Sequence, residues 1–65
     1  MPSSVVDRYI YFPETEILRI AYQSGAVDDD LKVPLAVSER FRQARSKGRL
    51  LTAVIKRRYR FIKNN

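Results

Sequence analysis

Cysteine and histidine are both absent from this 65-residue chain. Without cysteine there is no disulfide and no thiolate metal site, and the redox compartment is left open. Without histidine the usual general base near neutral pH is missing, as is the commonest zinc ligand. Long apolar runs are lacking too: no segment approaches the roughly 20 residues that span a bilayer. The opening "MPSSVVDR" has neither the basic flank nor the apolar core of a signal peptide. The default expectation is therefore a cytoplasmic protein with no membrane partner. A chain this short implies one domain, residues 1–65, with a core that is marginal by size alone.

Each half is poor in one sign of charge. Residues 1–30 hold Arg8 and Arg19 against Asp7, Glu14, Glu16, Asp28, Asp29 and Asp30, a balance of −4. Residues 31–65 hold eleven basic side chains against Glu39 alone, a balance of +10, and the chain as a whole carries +6. Such an asymmetry speaks to partners and solubility, not to fold.

From Val5 to Tyr11 the chain is rich in β-branched and aromatic residues, which predicts a strand. "FPET" follows as a turn. Residues 16–22 alternate, with Leu18, Ile20 and Tyr22 of one parity, as in a half-buried strand. After "QSG", a third strand is predicted from Ala26 to Val33. If Val27, Leu31 and Val33 point inward, Asp28 and Asp30 face water and Asp29 falls on the apolar side or in a bulge. Beyond Pro34 the period changes: Val37, Phe41 and Ala44 form a helical stripe. Ser46 suits an N-cap for a second helix carrying Leu51 and Ile55 as an i, i+4 pair. In the tail, Tyr59 and Phe61 alternate with Arg58 and Arg60, leaving room for a short C-terminal fourth strand. The sum is an α+β fold: a three-stranded antiparallel β-meander followed by two short helices packed on one face.

The series Ser24-Gly25-x-Val27, Val33-Pro34, Ser46-Lys47-Gly48 and a terminal Tyr59, with Ser4, Tyr11, Leu18, Ala44 and Ile55, resembles the KTSC domain, named for its place at the C-terminus of some lysyl-tRNA synthetases. The resemblance covers nearly the whole chain and implies the same small α+β fold. Against the family pattern, a central Tyr-x-Tyr is replaced by Asp28 and Asp30, a first-helix aromatic by Ser38, and a second-helix aromatic and Asn by Leu50-Leu51 and Thr52. Several of these positions are expected to lie together, on the outward side of strand three and the exposed sides of the helices, which implies a surface-altered, engineered scaffold of this type.

The chemistry points away from catalysis. No carboxylate has an evident acid–base partner and no serine has a histidine to activate it. A calcium loop starting at Asp28 fails, because Val33 stands where glycine is required and Pro34 follows. No enzyme activity, metal, cofactor or small-molecule substrate is expected. The leading expectation is a binding module for a protein partner through strand three and the helices: Asp28, Asp30, Lys32, Ser38, Arg45, Arg49 and Ala53. The alternative is RNA, held through Arg45, Lys47, Arg49, Lys56, Arg57, Arg58 and Arg60, whose cations neutralise phosphates. A paired tyrosine at 28 and 30 would stack on bases, whereas aspartates repel phosphate, so any RNA binding should be sequence-blind and salt-sensitive.

Overall fold

The computed structural model describes residues 5–64; Ser4, one of the residues carrying the resemblance, lies outside them. Three strands come first: β1 (Val6–Phe12), β2 (Ile17–Tyr22) and β3 (Val27–Asp30). Helix α1 (Leu35–Gln43) follows. Next, α2 (Lys47–Leu50), a π-helical turn (Leu51–Ile55) and α3 (Lys56–Arg58) run on without a break as one rod, residues 47–58. The chain closes on β4 (Phe61–Lys63). All strand pairs are antiparallel, in the order β1-β2-β3-β4, so β3 is an interior strand.

Each element has a local cause. Pro13 starts the β1–β2 turn, which the Thr15 amide closes on the Phe12 carbonyl at 3.3 Å. Gly25 takes φ +98° in the β2–β3 turn, where a side chain would be strained. The Ser46 hydroxyl accepts from the Arg49 amide at 3.3 Å, as an N-cap should. Leu18, Ile20 and Tyr22 of β2 pack with Val33, Phe41, Leu51 and Ile55 in one buried cluster between sheet and helices. Tyr9 meets Phe41 edge to face at 4.9 Å, adding to that layer.

The third strand departs from the sequence expectation in length and in phase. It stops at Asp30, not Val33. Its register sets Asp30 opposite Leu18 and Asp28 opposite Ile20, so both aspartates share the inward face of β2. Asp28 is 5 % exposed and Asp30 is fully buried, the reverse of a water-facing pair. Asp29, expected on the apolar side or in a bulge, instead lies opposite Arg19 on the outer face. The inversion arises just past the strand, where Lys32 adopts φ +56°. That kink resets the parity, so Val33 is buried although it is odd-numbered. The idea of a remodelled surface at 28 and 30 fails with it, because these positions are interior.

Candidate functional site

Two places gather chemistry-bearing side chains. The first is beneath the helical rod. The Lys56 ammonium donates to Asp28 Oδ2 at 3.0 Å and to Asp30 Oδ1 at 2.8 Å, and lies 3.7 Å from the Phe61 ring centroid. Lys56 starts the segment after the π turn; its amide bonds to the Leu51 carbonyl five residues back. That wider turn holds Leu51 and Ile55 together in the core while directing Lys56 at β3. One part-buried ammonium thus serves two buried carboxylates, whose other oxygens, Asp28 Oδ1 and Asp30 Oδ2, accept no hydrogen bond from the described residues. Burial pushes the Asp30 carboxyl above its ordinary range, against the opposing pull of Lys56. Tyr22 is driven up as well, by burial first and then by the charges of Asp28 and Asp30. On the opposite face Arg19 grips Asp29 with two bonds, at 2.7 and 3.0 Å, and Asn64 adds a third at 3.2 Å. The Arg19 hydrogen bonds hold the Asp29 carboxyl below the usual range.

The three aspartates that prompted a surface reading are thus tied off inside the fold. The supposed protein-binding patch is dispersed accordingly. Ser38 is buried, its hydroxyl donating to the Leu35 carbonyl at 2.8 Å. Lys32 is exposed but sits by Arg58 and Arg60 around a separate hollow with Tyr59. Only Arg45, Arg49 and Ala53 stay together, on the exposed side of the rod.

The second place adjoins those three. A groove of about 900 Å³ runs between the start of β1 and the rod, lined by Val5, Lys47, Arg49, Thr52, Ala53 and Arg57. Among the described residues no acidic side chain lines it. Gly48 and Ala53, both small, share the lining with the three cations. Of the residues proposed for RNA, Lys47, Arg49 and Arg57 line this groove and Arg45 stands one turn before Arg49. Arg58 and Arg60 belong to the Lys32 hollow, and Lys56 is consumed by the aspartates. The internal cluster escaped the sequence reading because its members lie 26 and 28 residues apart, and only their charges hinted at it.

Among the described residues no helix is long and apolar enough to cross a membrane, and no group of three or more His, Cys, Asp or Glu side chains could hold a metal ion. Compared with known proteins, the chain is 34% identical over 58 residues to a lysine–tRNA ligase of Nostoc sp. (strain PCC 7120), covering 89% of this chain but 10% of that protein's length. A crystal structure of a KTSC domain protein from Yersinia pestis superposes with a TM-score of 0.88 at 29% identity, over 100% of this chain and 92% of that one. The family model for the KTSC domain matches residues 2–59. With its four-stranded antiparallel sheet, its helices on one face and that match, the chain belongs to the KTSC domain family.

Proposed function

We propose that this domain is a non-catalytic RNA-binding module that grips the phosphate backbone in the groove between β1 and the helical rod. The observation that carries this reading is the groove lined by Lys47, Arg49 and Arg57 without one carboxylate. Burial of the aspartates reinforces it. Arg19 pairs with Asp29 and Lys56 with Asp28 and Asp30, so their charge is largely compensated where it lies, and from Arg40 onward the sequence contains no acidic residue. Among the described residues no aromatic side chain lines the groove, so binding is sequence-blind. The lysine–tRNA ligase bearing a similar segment supports RNA over other polyanions.

The test is an anisotropy titration of a fluorescent single-stranded RNA at two salt concentrations. Four contacts, from Arg45, Lys47, Arg49 and Arg57, predict a fall of roughly 50-fold in affinity between about 50 and 200 mM salt. Replacing Arg45, Arg49 and Arg57 together by Gln should remove most of that slope. No binding at low salt, with tight capture of an acidic protein by the same face, would turn the assignment to a protein partner.

A further inference from the structure

Adjacent residues at the end of the rod serve different places. Arg57 lines the groove, whereas Arg58 lines a hollow of about 560 Å³ with Leu31, Lys32, Tyr59 and Arg60. That volume is in the range of small-ligand pockets. Its two wall segments, residues 31–32 and 58–60, are tied together where the Leu31 amide donates to the Arg60 carbonyl at 2.8 Å. Lys32, Arg58 and Arg60 are exposed, and Leu31 and Tyr59 are half-buried. Among the described residues no carboxylate joins the lining, and none of the three cations has an ion-pair partner.

Lys32 adds a second observation. It takes φ +56°, a left-handed backbone that costs any residue with a Cβ and that glycine adopts freely, as Gly25 does at +98°. The strained residue is thus a lysine, and it stands with two arginines around one hollow. Backbone strain of this kind gathers at ligand-binding sites. The ligand that such a lining fits carries concentrated negative charge on an apolar body. A phosphate monoester has about −1.5 to −2 charges near pH 7 and three terminal oxygens, matching one ammonium and two guanidinium forks. A diester within a nucleic-acid strand has a single charge to offer them. Inorganic phosphate would leave the Tyr59 and Leu31 side empty, whereas a nucleobase would rest on it.

We propose that this hollow binds a nucleoside monophosphate, with the phosphate monoester held by Lys32, Arg58 and Arg60 and the base against Tyr59 and Leu31. A free nucleotide and the phosphorylated end of an RNA carry the same chemistry. The site is separate from the groove between β1 and the rod, and neither reading depends on the other.

The experiment titrates the whole chain with adenosine 5′-monophosphate at constant ionic strength, read by amide ¹H–¹⁵N spectra, with adenosine, sodium phosphate and phenyl phosphate in parallel. Saturable shifts at the amides of Leu31, Lys32, Tyr59 and Arg60 are expected with the nucleotide, and no saturation with adenosine. Lys32→Gly relieves the strain and removes one cation, so it should keep the melting temperature and weaken binding about three- to fivefold. With Arg60→Gln added, the loss should reach about tenfold. An RNA oligonucleotide with and without a 5′-phosphate separates the sources: a phosphate-dependent gain over the free nucleotide identifies an RNA end, and no gain a free nucleotide. Shifts that never saturate, that gather instead at Lys47, Gly48 and Thr52 of the groove, or that sodium phosphate matches in affinity overturn the proposal. So does equal binding of phenyl phosphate, which would assign a different phosphorylated aromatic, or an affinity unchanged in the double variant. Should the double variant not fold, Arg58→Gln takes its place under the same criterion.

Discussion

Replacing Lys56 by Met removes the ammonium but keeps a stem of similar length, and it isolates what holds the acidic strand inside. The Lys56 side chain is 18% exposed, and both carboxylates it contacts are more than nine-tenths buried. Breaking a buried ion pair by deleting one partner typically costs about 3–5 kcal/mol, because the charge left behind is not solvated. Here two carboxylates are stranded, and the contact with the Phe61 ring, worth about 1–2 kcal/mol when desolvated, goes too. A 65-residue domain has about 3–10 kcal/mol in total. Lys56→Met should therefore be largely unfolded at pH 7 by far-UV circular dichroism. The same variant should recover in acid. Burial raises the Asp30 carboxyl above its unfolded value near 3.9, so its proton-linked stability is full below that value and drains away as pH rises. Adding Asp28→Asn and Asp30→Asn to Lys56→Met should restore folding at neutral pH. An unfolding free energy from urea melts within about 1 kcal/mol of the parent at pH 7, or no gain on acidification, would refute compensation of the buried pair by Lys56.

Asp30→Asn should stay within about 1 kcal/mol of the parent in urea melts at pH 7, since Lys56 keeps Asp28 as partner and a buried charge is removed. Because burial raises the Asp30 pKa, its contribution to stability is lost as pH climbs from about 4 through that raised value, and the variant should lack this decline. Asp29→Asn acts in the opposite sense. Its lowered pKa stabilises the fold above about 4 and is lost as pH falls through the folded value. The variant should flatten the acid limb of thermal melts and cost about 1 kcal/mol at pH 7, a figure kept small because the Arg19 side chain is 41% exposed. Ser46→Ala removes the cap on the rod and should cost about 1 kcal/mol in urea melts, with faster amide exchange in residues 47–50.

Much of this architecture can be read along the chain. Leu18, Ile20 and Tyr22 announce β2 by alternation, Ser46 announces the rod, and Leu51 with Ile55 mark its buried side. Even the terminal strand is foreshadowed by the alternating tail. The phase of β3 is not legible, for a physical reason. Alternation places apolar residues inward, and a carboxylate goes inward only when a cation waits for it. Here that cation comes from Lys56, 26 and 28 residues away, and is aimed by a π turn that no local pattern signals. Lys32 completes the disguise, since its positive φ breaks the parity that would lead back from Val33. The groove shows the complementary limit. Its cations were all identifiable in sequence, but only the fold separates Arg49 and Arg57 from Arg58, Arg60 and Lys56.

The place of β4 has a consequence for how the molecule assembles. β1 to β3 are neighbours in sequence, whereas β4 arrives only after the helices, where its end is tied to β3 by the Asn64 amide at 2.7 Å from the Val27 carbonyl. A β1–β3 sheet not yet joined by β4 would present β3 as its margin, and three like charges in a row would disfavour its pairing with another molecule. In the finished fold the same repulsion is held in check by Lys56, Arg19 and Asn64; if β4 docks last, pulse-labelled exchange should find the β1–β2 amides protected before those joining β3 to β4.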